Sequence, residues 1–210
     1  MQIDFHHATT YVIARDAGFD HQQAHIISYA SQYVDDATSE GTVQFDNQAV
    51  YNRISSAHKM LDARNTRALA NHQVWLAFHF LPGNGGKVAG ENPAGSFIQK
   101  IVCRPNSPVA QEMVRGVILD KERLYGLNRL GAAMHVYADT WAHQGFAGVL
   151  HDINEVENAE ETGNSGVFDN RLENWLWDRL DDAIPPLGHG RANVFPDMPF
   201  LQWKYKNGHD

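Results

Sequence analysis

The sequence predicts an all-α chain, folded as a single-domain, multi-helix bundle around one buried central helix. Apolar residues recur mostly at helical spacing, and 210 residues suit one sizeable domain. One segment, Leu130–Leu150, contains no Lys, Arg or Glu. Because a surface helix normally presents charged residues on one face, we expect this segment to be the central helix. The domain therefore spans 1–210, and its polar end, without a closing element, is compatible with a C-terminal truncation.

The first helices are marked by residues that favour helix ends. Asp4 is a typical N-cap residue and Gly18 a typical C-cap residue, which predicts a helix between them. Asp20 precedes a second helix, because Gln23 stands at the capping-box position three residues later. Helical spacing continues in two further segments, 47–63 and 66–81.

One long loop rich in Gly and Pro interrupts the helices. It covers residues 83–107, with a short strand predicted at Phe97–Cys103. Loops of this length often carry function, and we expect this one to influence substrate choice. Ser107 followed by proline marks the start of the next helix. From there we predict helix, with a break near Asp120, to about Gln144.

The last quarter of the chain is predicted to be less regular. A polar loop covers 151–168, after which Asp169 can cap a helix that ends before the second of two adjacent prolines, Pro186. The remaining residues are predicted to be extended.

Composition excludes several classes of protein. Hydrophobic residues make up 43% and charged residues 20% of the chain, which is typical of a globular protein. Acidic residues outnumber basic ones 25 to 17, so no strong nucleic-acid surface is expected. Cys103 is the single cysteine, which excludes a disulfide framework. No membrane span and no secretory signal are recognisable, and a cytoplasmic location follows as the expectation. The oligomeric state stays open.

The central helix carries the main functional signal, His135, Asp139 and His143 at four-residue intervals. A lone carboxylate inside an apolar helix is costly unless it is paired or bound to a metal. The two histidines lie about 12 Å apart along a helix axis, too far to share one ion easily. The spacing therefore favours two metal ions bridged by Asp139. A buried His–Asp–His hydrogen-bond triad without metal is the alternative.

Other side chains are candidate ligands for the same site. Asp35 and Asp36 end an apolar helix, where carboxylates oppose the helix dipole unless something offsets them. The other candidates are histidines predicted to face inward or to stand beside glycines, namely His6, His58 and His189. His151 and Glu155 form an alternative late pair, although their polar surroundings favour a solvated loop. His72 and His79 share a helix face and are assigned to the core or the surface.

The order of these residues resembles the zinc-dependent phospholipase C and single-strand-specific nuclease superfamily. The stretch His135-Val-Tyr-Ala-Asp139-Thr-Trp-Ala-His143 carries the most specific part of the resemblance. The chain is also similar to an uncharacterised bacterial family with an early Phe-His, then Gln-Tyr-Val-Asp-Asp, then this stretch, then Gly-His-Gly. The superfamily is all-helical and cleaves phosphodiesters at a trinuclear zinc site.

The resemblance implies a set of zinc ligands. Asp35 or Asp36 would bind one zinc ion together with His58 and His135, and Asp139 would bridge to a second ion. His6 and Asp139 would hold the second ion. The third would be held by His143 with His189, or by His143 with His151 and Glu155. The interval between Asp139 and His143 is shorter than in the superfamily, so two or three zinc ions are expected.

Three functional hypotheses follow. The first is a metal-dependent hydrolase, most simply a phosphoesterase acting on a small phosphorylated or phosphodiester substrate, in which Asp35 or Asp36 also orients the attacking water. The second is a helical phosphohydrolase of the class with a split His, His-Asp and Asp signature, for which His151-Asp152 is the adjacent pair. The third is a non-enzymatic domain with a structural metal or with the hydrogen-bond triad.

Overall fold

The computed structural model describes residues 2–59, 64, 67–163, 186–192 and 195–207. Within them lie six α-helices: α1 (Thr10–Asp16), α2 (His21–Asp36), α3 (Ala68–Asn71), α4 (Phe97–Ile101), α5 (Pro108–Leu119) and α6 (Gly126–Ala142). Four β-strands accompany them: β1 (Gly41–Gln44), β2 (Val50–Arg53), β3 (Val156–Glu161) and β4 (Trp203–Asn207). Two π-helical segments, Asp4–Thr9 and His72–His79, precede α1 and follow α3.

The all-α prediction is wrong, because the chain also contains two antiparallel sheets of two strands each. In the first sheet Gly41 pairs with Arg53, so that β1 and β2 form a hairpin. In the second, Val156 pairs with Asn207, which brings the end of the chain back onto β3. The described part of the chain is therefore a mixed α/β structure with helices as its larger component.

The predicted helix over 47–63 is replaced by the second strand of the hairpin and an irregular segment. Gln48 adopts a positive φ of 66°, and the Asn47 side chain accepts a 3.0 Å hydrogen bond from the amide of Ala49. These features form the turn that reverses the chain into Val50–Arg53. Residues 54–59 are not helical, and residues 60–63 lie outside the described part.

Two other local predictions are also wrong. The strand expected at Phe97–Cys103 is the short helix α4, because Ser96 and Gln99 form a reciprocal capping box at its start. The polar loop expected over 151–168 contains strand β3, whose polar residues pair with β4. The helix expected from Asp169 lies outside the described residues.

Helix α6 lies at the centre of the helical part, against α2, α5 and both π-helical segments. From Leu130 to Thr140 none of its residues is exposed. Gly131 permits the close approach of α2, since a Cβ there would stand only 2.2 Å from the carbonyl oxygen of Ile27. This contact brings the C-terminal part of α2 beside the middle of α6, where His135 and Asp139 lie.

The predicted start of α2 is confirmed. Asp20 accepts a hydrogen bond from the Gln23 amide, and the Gln23 side chain accepts one from the Asp20 amide. The apolar core beneath this start includes Ala24, Ile27 and Leu130. Among the described residues, every helix is too short or too polar to traverse a bilayer.

Candidate metal centre

Five side chains from four elements meet in a buried cluster beside α6, which we call the first group. It consists of His6 and His79 from the two π-helical segments, Asp35 from the last turn of α2, and His135 and Asp139 from α6. π-Helical turns are rare and occur often at functional sites. Here each of the two described π-helical segments supplies one imidazole.

The donor atoms of the first group lie at short distances. Asp139 stands 3.2 Å from Nε2 of His6, 3.3 Å from Nδ1 of His79 and 3.2 Å from Nε2 of His135. The same three nitrogens lie 3.8–3.9 Å from the carboxylate of Asp35. Nδ1 of His79 and Nε2 of His135 are 3.3 Å apart. Three imidazoles therefore converge on two carboxylates.

In both carboxylates the two oxygens face different imidazoles. Asp139 turns Oδ1 towards His6 and Oδ2 towards His79 and His135. Asp35 turns Oδ2 towards His6 and Oδ1 towards the other two histidines. Each carboxylate thus faces His6 with one oxygen and the His79–His135 pair with the other, which is the arrangement of a carboxylate that bridges two cations.

The tautomer of His79 shows why the cluster suits a cation. Nε2 of His79 lies 2.8 Å from the carbonyl oxygen of Ser56, and because a carbonyl only accepts, Nε2 carries the proton. In the neutral ring Nδ1 then presents a lone pair to the oxygens of Asp35 and Asp139. Lone pairs that face one another repel, and a cation between them removes the repulsion.

Further nitrogens of the first group have no hydrogen-bond partner among the described residues. These atoms are Nδ1 and Nε2 of His6 and Nδ1 of His135, all buried. Buried polar atoms are normally paired, so such atoms point to a ligand. Burial also lowers the pKa of His135 below its ordinary value, although the negative charge of Asp139 opposes the shift. A neutral imidazole is the form that binds metal.

A second group of ligating atoms lies next to the first and consists of His143, His189 and Asp197. Oδ1 of Asp197 is 3.6 Å from Nε2 of His189 and 3.9 Å from Nε2 of His143. Nδ1 of His143 donates a 2.7 Å hydrogen bond to the carbonyl oxygen of His79, which leaves the Nε2 lone pair directed at the second group. The His143 ring therefore separates the two groups.

The pKa values of Asp139, which is buried, and Asp197, which is partly buried, both favour the charged form. Burial by itself would raise the pKa of Asp139, but the attraction of the positive N-terminus, and then of His143 and His135, outweighs it, and the pKa lies well below the ordinary value. Burial likewise opposes ionisation of Asp197, whose pKa is nevertheless lowered, chiefly by the attraction of His189. Each group thus contains a carboxylate whose negative charge is favoured by its surroundings.

Four of the candidate residues lie outside both groups. Asp36 is exposed, and its Oδ1 accepts a 3.3 Å hydrogen bond from Gln32. His58 is buried with its ring edge-on to Trp75 at 6.1 Å. The alternative pair is also elsewhere: His151 is exposed and accepts from the amide of Ile153, while Glu155 forms an ion pair with Arg191. The His151-Asp152 pair is exposed and likewise lies outside.

Two residues of these groups, His79 and Asp197, were not predicted from the sequence. His79 was assigned to the core or the surface, yet its ring belongs to the first group and its carbonyl positions His143. Its position at the end of an apolar helix was the only local signal. Asp197 was not considered, because it lies in a Pro-rich segment without periodicity.

A model of a protein family of unknown function, DUF6765, matches residues 1–210. The chain therefore belongs to this family. Comparison with curated proteins and with solved structures finds no match. The geometry of the two groups is thus the main basis for a functional assignment.

Proposed function

We propose that this member of the DUF6765 family is a metal-dependent hydrolase of phosphoric esters. In this proposal the first group holds two divalent ions, bridged by Asp35 and Asp139, and the second group holds a third ion. Zinc is the expected metal, because imidazole nitrogens and carboxylate oxygens are its common ligands. The resemblance to the zinc-dependent phospholipase C and nuclease superfamily supports the same assignment.

The paired carboxylates are the observation that carries the proposal. Around an ion with ligands at about 2.0–2.2 Å, neighbouring ligand atoms lie about 3.0–3.5 Å apart. The first group has nitrogen–oxygen separations of 3.2–3.9 Å, close to this range. Two carboxylates that each direct separate oxygens to separate imidazoles suit a pair of ions, and hydrolytic ion pairs lie about 3.5–4 Å apart.

Access to the centre distinguishes a catalytic from a structural role. His6, His135 and Asp139 are fully buried, whereas 31% of the Asp35 side chain is exposed. Solvent therefore reaches the first group on the side of Asp35. A structural site is closed by its protein ligands, while a catalytic site keeps a position for water or substrate. The partly exposed side of Asp35 favours the catalytic role.

In the proposed hydrolysis the ions and the surrounding side chains have different roles. Bound divalent ions supply a water of lowered pKa and neutralise charge on the phosphate oxygens. Asp35, at the exposed edge, is placed to orient that water. The buried histidines and Asp139 hold their geometry, and helix α6 excludes bulk water from behind. A small phosphomonoester or phosphodiester would approach from the Asp35 side.

Metal analysis combined with an activity screen tests the proposal. The chain is purified without chelator or histidine tag, and its zinc content is measured by mass spectrometry beside hydrolysis of phosphomonoester and phosphodiester panels. We expect two or three zinc ions per chain, hydrolysis of at least one ester, and loss of both in Asp139→Asn. Asp36→Asn is the matched control, since Asp36 is exposed and outside both groups. Bound zinc without hydrolysis of any ester would identify a structural site, and no zinc would leave a buried hydrogen-bond cluster.

A further inference from the structure

We infer that Asn154 is the positioning residue that brings His189 to the third metal ion. The inference rests on the proposed function, because it concerns the second group of that centre. Asn154 belongs to neither ligand group, and its side chain is fully buried. Its contacts join the two chain segments that deliver the histidines of the second group.

Both polar atoms of the Asn154 side-chain amide form hydrogen bonds with main-chain atoms. Oδ1 accepts a 2.8 Å hydrogen bond from the amide of Ala147. Nδ2 lies 2.9 Å from the carbonyl oxygen of Ala147, 2.6 Å from that of Val149 and 3.1 Å from that of Pro186. One side chain thereby connects the segment after α6 to the segment before His189.

The first of these segments is continuous with His143. The amide of Phe146 donates a 3.1 Å hydrogen bond to the carbonyl oxygen of His143, and Ala147 follows directly. The Phe80 ring stacks on the His143 ring with centroids 4.3 Å apart. The position of Ala147 is therefore tied to the end of α6 and to the His143 ring.

The second segment, residues 186–189, lies along the first and depends on the same contacts. The amide of Gly188 donates to the carbonyl oxygen of Ala147 at 3.2 Å, and the amide of His151 donates to that of Pro186 at 3.1 Å. Leu150 and Leu187 form an isolated antiparallel bridge between them. Asn154 lies at the centre of these bonds. His189 directly follows Gly188 in the chain.

Only an amide side chain satisfies this arrangement. Three carbonyl oxygens face Nδ2, so the group there must donate hydrogen bonds, whereas the Ala147 amide requires an acceptor at Oδ1. An aspartate of the same shape would place negative oxygen against three carbonyls. Asn154→Asp therefore keeps the side-chain volume and loses the connection to Pro186.

Zinc binding by the full chain tests the inference. Zinc alone is titrated into wild type, Asn154→Asp and His189→Ala, and the number and affinity of bound ions are measured by calorimetry and mass spectrometry. We expect Asn154→Asp to weaken the third ion at least tenfold, as His189→Ala does, and to leave the other two unchanged. Asn128→Asp is the control, because Asn128 is exposed on α6.

The outcomes separate this inference from the proposed function. Three ions at wild-type affinity in Asn154→Asp, with a lower melting temperature as its only defect, would show a merely structural role and overturn the inference. Absence of zinc from the wild type would overturn the proposed function and this inference with it. If Asn154→Asp does not fold, Asn154→Ser replaces it, since the hydroxyl retains one donor. A folded Asn154→Ser with an unweakened third ion would likewise overturn the inference.

Discussion

The carbonyl oxygen of His79 accepts a 2.7 Å hydrogen bond from Nδ1 of His143. This bond connects the two ligand groups, because the imidazole of His79 belongs to the first group while His143 belongs to the second. A hydrogen bond to the remote nitrogen of a ligating histidine sets its tautomer and ring orientation. His79 thus acts on one group through its side chain and on the other through its main chain.

This dual position predicts the effect of His79→Ala. The substitution removes the imidazole but keeps the carbonyl, so we expect weaker zinc binding in the first group and an intact second group. The expected loss of affinity is at least about tenfold for the ions of the first group. Zinc titration followed by calorimetry measures it. His72→Ala serves as the control, since His72 is exposed in the same π-helical segment. Equal effects of the two substitutions would contradict the role given to His79.

Neighbouring aspartates at the end of α2 are expected to behave differently. Asp35 lies within 3.9 Å of the three imidazoles of the first group, whereas Asp36 contacts Gln32. Asp35→Asn should therefore lower zinc affinity and kcat of ester hydrolysis by at least about tenfold, while Asp36→Asn leaves both nearly unchanged. Metal content and steady-state kinetics of the two variants provide the test. A larger loss in Asp36→Asn would mean that the wrong carboxylate has been assigned.

Gly188→Ala should destabilise the region around the second group. Gly188 has a positive φ of 55°, and an added Cβ would stand 2.3 Å from Cζ of Phe80, the ring that stacks on His143. We expect a loss of about 1–3 kcal/mol in the free energy of unfolding. Gly86→Ala is the comparison, because Gly86 has a φ of 83° but no atom within 4 Å of the added Cβ. Denaturant titration of both variants separates the effect of steric contact from that of backbone strain. Equal losses in the free energy of unfolding would show that backbone strain alone accounts for the effect of Gly188→Ala.

The thiol of Cys103 is expected to report on the packing beside α6. It is 1% exposed, and burial, assisted by the charge of Asp139, raises the pKa of the thiol well above its ordinary value. Because the thiolate is the reactive form, the folded chain should react with a disulfide reagent at least about tenfold more slowly than the denatured chain. Spectrophotometric thiol titration with and without denaturant checks this. Rapid reaction of the folded chain would contradict the tight packing at Cys103.

Local signals predicted those parts of the chain that depend on near neighbours. The capping residues Asp20 and Gln23 determine the start of α2 within a span of four residues. The stretch from Leu130, in which Asp139 is the single formally charged residue, predicted a buried helix. The spacing of His135 and Asp139 predicted that their side chains share a face. These features follow from helical geometry, which repeats every few residues.

Other predictions failed because tertiary contacts outweigh weak local preferences. The polar residues of Val156–Glu161 become a strand only through pairing with Trp203–Asn207, more than forty residues later in the chain. Similarly, the hairpin that replaces the expected helix after residue 47 requires the partner strand at Gly41–Gln44. Helical spacing in a short window did not outweigh this pairing.

By itself the sequence determined that helices are the larger component and that His135 and Asp139 lie on one face of a buried helix, which ends just before His143. The tertiary structure alone decided which distant residues complete the two groups. His79 meets Asp139 across 60 residues, and Asp197 approaches His143 from the short 3-10 helix Phe195–Asp197. The tertiary structure also placed Asp35, and not Asp36, beside the imidazoles of the first group, because the last turn of α2 directs only one of the two carboxylates towards α6. Ligand geometry depends on contacts between segments far apart in the chain, and no periodicity in the sequence encodes such contacts.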